Sequence, residues 1–214
     1  MLLKRMEKIK AYKQLSEVYE STEQMRLACR NLQHVLSLQQ KNQFLMIASS
    51  TTNQNKSLIA VKLAASFAEQ GRKVLLVDTD FRNPSLNGLF EIENQQGFTN
   101  MIGGQLNAYK CIVKTRVPYL HVVPAGSHSY DSFRSSLLNR FQLVREQWSL
   151  QYDLVLFVSP SLTISSESYD LLSVCDGVVY VAKEYQTTNE EISLFRKEVE
   201  RADNRMLGVI YQTN

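Results

Sequence analysis

Short runs of β-branched and leucine-rich residues alternate along the chain with longer stretches whose apolar positions recur at helical spacing. That alternation is the pattern of βαβ units around a parallel sheet. The expected strands are Phe44–Ala48, Val74–Val77, Leu120–Val123, Leu154–Val158, Gly177–Val181 and Leu207–Tyr211. Most are apolar at nearly every position rather than every second one, as helices on both faces of a sheet demand. Between the first two, Leu58, Ile59, Val61, Ala65 and Ala68 mark a helix that Gly71 is placed to end as a C-cap. Residues 1–40 hold no strand pattern. There Met25, Leu32 and Leu36, with Ala28 and Cys29, read as an amphipathic helical arm ahead of the sheet. The expected organisation is one α/β domain over 41–214 behind a helical arm over 1–40, with no repeat, low-complexity tract or linker between.

Composition changes this picture little. The 214 residues are 44% hydrophobic and 21% charged, which is ordinary for a globular chain. A net charge of +3 gives no support for a nucleic-acid partner, and none is expected. Cys29, Cys111 and Cys175 are odd in number and lack CxxC spacing, so neither a disulfide framework nor a zinc site is suggested and a reducing compartment fits. The basic start, MLLKRMEKIK, is not followed by the apolar run of a signal peptide, and no stretch approaches the roughly 18 apolar residues of a membrane span. A cytoplasmic protein is expected. Lys4, Arg5, Lys8, Lys10 and Lys13 against Glu7 read as a solvated helix end; the other reading is attraction to an anionic membrane surface, at about 1 kcal/mol per charge.

Candidate chemistry gathers at the carboxyl ends of the strands, where open α/β sheets bind ligands. Ser49 to Ser57, SSTTNQNKS, lies between a strand and a strong helix. In a P-loop, G-x-x-x-x-G-K-[ST], backbone N–H groups and a helix N-terminus cradle phosphates, the lysine reaches the β/γ-phosphates and the hydroxyl binds Mg²⁺. Lys56 and Ser57 occupy the last two positions, but Ser50 and Asn55 stand at the glycine positions. Asn55 is the more tolerable replacement, since Asn enters left-handed backbone geometry more readily than other non-glycine residues. At the end of the second strand, VLLVDTDFRNP places Asp78 and Asp80 two apart with Arg82 following. Paired carboxylates there suit Mg²⁺–phosphate chemistry, because hard cations take oxygen ligands. The bland alternative is a polar turn rich in Asp, Asn and Pro. The 22-residue spacing from Lys56 to Asp78 returns a neighbouring strand to the same edge and favours a site.

FLMIASSTTNQNKS, GRKVLLVDTDFRNPSLNGLF, GFTNMIGG, LHVVPAG, YDLVLFVSP and CDGVVYVA together resemble the bacterial tyrosine kinases of capsule and exopolysaccharide systems. The resemblance runs from about Glu23 to Gln212. Its most specific part is the Walker A′ segment, where Asp78, Asp80 and Arg82 match. It implies a P-loop ATPase fold with ATP or ADP and Mg²⁺ as cofactor. Nucleotide would be held by Ser50, Thr51, Thr52, Asn53, Gln54, Asn55, Lys56 and Ser57, with Arg82 and Gln212 in addition. Ser57 and Asp78 would take the metal, while Asp78, Asp80 and Lys56 would serve catalysis. A membrane adaptor of polysaccharide export is the implied partner, which would hold the chain at the inner face of the cell membrane. Glu23 and Arg26 match part of the family's self-association motif, and the resemblance implies self-association through them.

The chain also departs from that pattern. Thr51, Thr52, Asn53, Gln54 and Asn55 replace the glycine, proline and acidic residue usual in the loop, so a weaker grip on phosphate is expected. Val158 stands where the family's Walker B strand ends in Asp, and loss of a group that orients a metal or its water commonly costs roughly 10- to 100-fold in affinity or activity. Cys29 replaces the second arginine of the self-association motif, with Arg30 one position later, and Gln212 replaces an asparagine that would contact adenine. The sequence stops at Asn214, where the family's tyrosine-rich tail is expected, and its ten tyrosines are scattered, with Tyr180 and Tyr211 inside strands. The favoured expectation is therefore a catalytically weakened or inactive regulatory subunit with weak ATP binding. An active ATP-dependent protein-tyrosine kinase is the first alternative. The second is a partitioning-type ATPase, against which stands Thr51 at the position of that family's signature lysine.

Overall fold

The computed structural model describes residues 23–35, 43–50, 54–104, 107–127, 137–160 and 167–212. Seven strands form one sheet: β1 (Gln43–Ala48), β2 (Val74–Asp78), β3 (Val113–Lys114), β4 (Leu120–Val123), β5 (Leu154–Val158), β6 (Gly177–Lys183) and β7 (Met206–Gln212), in the order β3-β4-β2-β5-β1-β6-β7. All neighbours are parallel except β3, which pairs antiparallel with β4. Each expected strand is present within two residues of its expected ends. β3 is the addition, and two residues carry no periodicity to detect. The helices are α1 (Glu23–Val35), α2 (Gln54–Glu69), α3 (Leu86–Phe90), α4 (Phe98–Ile102), α5 (Leu137–Ser149), α6 (Glu167–Leu172) and α7 (Asn189–Arg201).

β1, β2 and β5 are buried at every position, because their apolar runs face a helical layer on each side. On one side α1 and α2 cover Leu45, Ile47, Leu76 and Leu156. On the other, Phe98, Phe141, Trp148 and Phe195 pack over Phe44, Phe157 and Tyr180. α2 ends as expected at Gly71, whose φ of +83° suits a residue without Cβ, and the turn is closed by Arg72 N–H donating to Phe67 O at 3.3 Å. α1 is the helix expected from the spacing of Met25 and Leu32, both buried; Leu36 lies outside the described residues.

A candidate nucleotide site at the carboxyl ends of the strands

α2 begins at Gln54 directly beyond β1, so the N-terminus of a 16-residue helix points at the edge where β2 and β5 also end. Helix N-termini favour anions through their unpaired N–H groups and dipole. Lys56 lies in the first turn, only 3% exposed. Its Nζ donates to the carbonyl of Ser159 just past β5, and Asp80 Oδ2 is 3.8 Å away. Burial pushes the Lys56 ammonium below its usual pKa, and the carboxylates of Asp80 and Asp78 oppose that shift. The neighbouring hydroxyl, Ser57 Oγ, accepts a hydrogen bond from Ser85 Oγ at 2.6 Å.

Asp78 closes β2 and is fully buried. Its Oδ2 accepts the N–H groups of Ser85 at 2.8 Å and Leu86 at 2.9 Å, and its Oδ1 accepts that of Asp80 at 3.1 Å. Burial raises the Asp78 pKa to about 6 in spite of these three donors, with a smaller push from Asp80. Two donors fill Oδ2, which leaves Oδ1 as the oxygen with a lone pair to offer a cation. Val158 is the register partner of Asp78 on β5 and packs in the apolar layer under α2. The position that lacks the expected carboxylate is thus hydrocarbon, directly across from the acid.

Other expected residues divide by placement. Ser50 donates its N–H to the Tyr180 hydroxyl at 3.2 Å, tying the start of the loop to β6. Thr51, Thr52 and Asn53 lie outside the described residues, and Gln54 and Asn55 open α2. Arg82 is exposed on the turn after Asp80. Gln212 ends β7, with its backbone oxygen accepting Glu184 N–H at 2.9 Å and its side-chain oxygen buried without a hydrogen-bond partner among the described residues. Glu23 and Arg26 are exposed on α1. Cys29 lies with Met25 and Leu32 on the buried stripe of that helix, as the apolar spacing predicts. It is fully buried with its Sγ 3.8 Å from Leu63 O, so an arginine has no room there, and Arg30 is the basic residue that shares the exposed face with Glu23 and Arg26.

Sequence reasoning missed Ser159, Ser85 and Tyr180 as parts of this edge. Ser159 acts through its carbonyl, Ser85 is a turn residue and Tyr180 reads as core; none carries a motif signal. Among the described residues no group of three or more His, Cys, Asp or Glu is placed to hold a metal ion. The residues present fit a nucleotide better than its metal. A buried lysine at a helix N-terminus suits phosphates, and the orphaned Gln212 oxygen suits an exocyclic amine. Mg²⁺ would find the Ser57 hydroxyl and Asp78 Oδ1, with the Asp80 carboxylate engaged by Asn83 N–H and lying beside Lys56.

Comparison with known proteins bears on the family and the fold. The family model described as the AAA domain matches residues 42–208. The chain is 26% identical over 198 residues to the tyrosine-protein kinase YwqD of Bacillus subtilis (strain 168), covering 89% of this chain and 80% of that one. It is 28% identical over 173 residues to the tyrosine-protein kinase CpsD of Streptococcus agalactiae, covering 79% and 75%. The kinase domain of the Escherichia coli tyrosine kinase ETK superposes with a TM-score of 0.78 at 25% identity, over 84% of this chain and 71% of that one. The chain belongs to the AAA domain family, and it is homologous to bacterial tyrosine-protein kinases, as its sequence motifs indicate.

Proposed function

We propose that this protein is a tyrosine-kinase-family component of capsular or exopolysaccharide synthesis that binds ATP or ADP weakly and acts chiefly as a regulatory subunit on a membrane adaptor. The observation that carries the reading is the pairing of Asp78 with Val158 across β2 and β5. Phosphoryl transfer is mostly positioning and electrostatic stabilisation of the γ-phosphoryl group, in which Mg²⁺ neutralises developing charge. An edge with Lys56 and Ser57 in place, and with Asp78 largely spent on backbone N–H groups, supports phosphate binding more than catalysis. Lys56 would hold the β/γ-phosphates, Ser57 and Asp78 Oδ1 a weakly bound cation, and Gln212 the base. The placement of Lys56, Asp78 and Asp80 within one buried cluster favours the second reading, an active protein-tyrosine kinase.

A tyrosine-rich peptide, ATP and Mg²⁺ separate the two. The regulatory reading expects no detectable phosphate transfer by the unmodified chain, and recovery of transfer in Val158→Asp combined with Asn55→Gly. Transfer by the unmodified chain, abolished in Lys56→Met, establishes the kinase instead.

A further inference from the structure

β7 is an outer strand: among the described residues it pairs with β6 alone. From Met206 to Gln212 it contains no charged residue and no proline. Soluble proteins blunt such edges with short strands, lysines, prolines or a covering element. The opposite edge follows that rule, since β3 is two residues long and ends in Lys114. β7 is seven residues long, holds no lysine or proline, and among the described residues has no strand beyond it. Beside it runs a groove of about 530 Å³, with β7 from Leu207 onward as one wall and the α1 stripe of Leu27, Asn31 and Val35 as the other. Leu27 is 56% exposed, Val35 46% and Tyr211 51%, a large apolar area beside an open main chain.

We propose that this edge joins two copies of the chain, β7 pairing antiparallel with its counterpart about a two-fold axis perpendicular to the sheet. Such an axis keeps equivalent faces of both copies on one side, so both α1 helices lie over the same face of the joined sheet with their Leu27–Val35 stripes turned toward each other. Side chains of one β7 then reach the groove under the other copy's α1. Charge chooses a second copy over a different partner. About a two-fold axis any net charge carried by the strand is duplicated in its partner, so an edge free of charge over seven residues, with Lys62 the one charged residue along the groove, suits pairing with itself. The chain's own first 40 residues offer no strand pattern to occupy the position. The edge is about 23 Å long. With the α1 stripe it would bury on the order of 1,000 Å², the size of weak, reversible associations. This surface adjoins the face of Glu23, Arg26 and Arg30 at Leu27 and extends away from it along Val35 and β7, and the inference does not depend on nucleotide binding.

Sedimentation velocity of the full chain, without nucleotide, from about 1 to 200 µM is the first measurement. A monomer–dimer equilibrium with its midpoint in the micromolar range is expected. Hydrogen exchange on the same samples should show the amides of Leu207–Tyr211 gaining protection as concentration rises. Val35→Lys with Tyr211→Lys, both at exposed positions of the β7 groove, should move the midpoint at least tenfold upward with an unchanged melting temperature, while Glu23→Ala with Arg26→Ala should leave it in place. A monomer at every concentration overturns the proposal. So does a dimer in which β7 exchange is independent of concentration, a result that needs no variant to read.

Discussion

Lys56–Asp80 at the carboxyl ends of the strands and Arg145–Asp176 at their amino ends are both cation–carboxylate pairs, and they are built to different standards. Arg145 donates to Asp176 Oδ1 at 2.6 Å and to Val174 O, with its guanidinium 4.4 Å above the Phe44 ring. Asp176 Oδ2 accepts the Phe44 N–H at 2.8 Å. Asn204 closes the same corner with bonds to the carbonyls of Leu172 and Cys175. Every charged group there is spent on joining β1, β6 and α5. Lys56 and Asp80, by contrast, stay 3.8 Å apart although both are buried. Lys56 rests on the Ser159 carbonyl and Asp80 Oδ1 accepts the Asn83 N–H, so the two charges are held near one another without a direct hydrogen bond between them. One end of the sheet is tied together by its charged groups, and the other is the end to which the proposed function assigns a nucleotide.

Two substitutions break this contrast most severely, one at each end. Lys56→Met removes the ammonium while keeping most of the side-chain volume. Isothermal titration with ADP should show affinity falling at least about 100-fold, since a charge-assisted contact to phosphate is lost in a buried setting. The melting temperature should hold or rise. Asp176→Ala does the reverse. It strands the Phe44 N–H and the Arg145 guanidinium, costing about 2 kcal/mol in urea unfolding, while ADP affinity stays as it was. Equal effects of both variants on affinity and stability would erase the distinction between the two ends.

The charge-tied end and the proposed nucleotide end were unequally legible in the sequence. Strand positions followed from uninterrupted apolar runs, which two covered faces require, and Gly71 followed from the need for positive φ. Lys56, Ser57, Asp78 and Asp80 were legible as a set because strand ends in a parallel sheet share one edge. What sequence could not give was which lone pairs remain free. That Asp78 Oδ2 is filled by Ser85 and Leu86 depends on the path of a turn, and that Lys56 rests on a carbonyl involves no side-chain identity at Ser159. The Arg145–Asp176 corner was equally invisible, since its partners lie 31 residues apart without a motif.

An effect of comparable size sharpens the comparison through pH. The Asp78 pKa stands at about 6 against 3.8 unperturbed. The folded protein therefore holds this proton more tightly than the unfolded chain. Stability from this group is fully present below about pH 4 and is lost as pH rises through 6, by up to about 3 kcal/mol. Asp78→Asn should lack that component. The difference in unfolding free energy between wild type and variant should therefore change across pH 4 to 6 and be flat from 7 to 8. A difference flat over the whole range shows that Asp78 ionises normally in its turn.

The smallest expected effect belongs to Ser85. Its hydroxyl donates to Ser57 Oγ at 2.6 Å, while its N–H independently caps Asp78. Ser85→Ala deletes the first interaction and keeps the second, so the turn and its carboxylate stay in position. Ser85 is half-buried, so water replaces the lost donor in part, and the cost is limited to about 1 kcal/mol, roughly fivefold in an equilibrium constant. That cost should fall on the cation. ADP affinity measured without Mg²⁺ should be unchanged, because Lys56 and the helix N-terminus are untouched, and the enhancement by Mg²⁺ should shrink about fivefold as the Ser57 hydroxyl loses its fixed orientation. An enhancement that survives Ser85→Ala but vanishes in Ser57→Ala reduces Ser85 to a brace of the turn. An enhancement that survives both removes the cation from this edge altogether and leaves the phosphates to Lys56 alone.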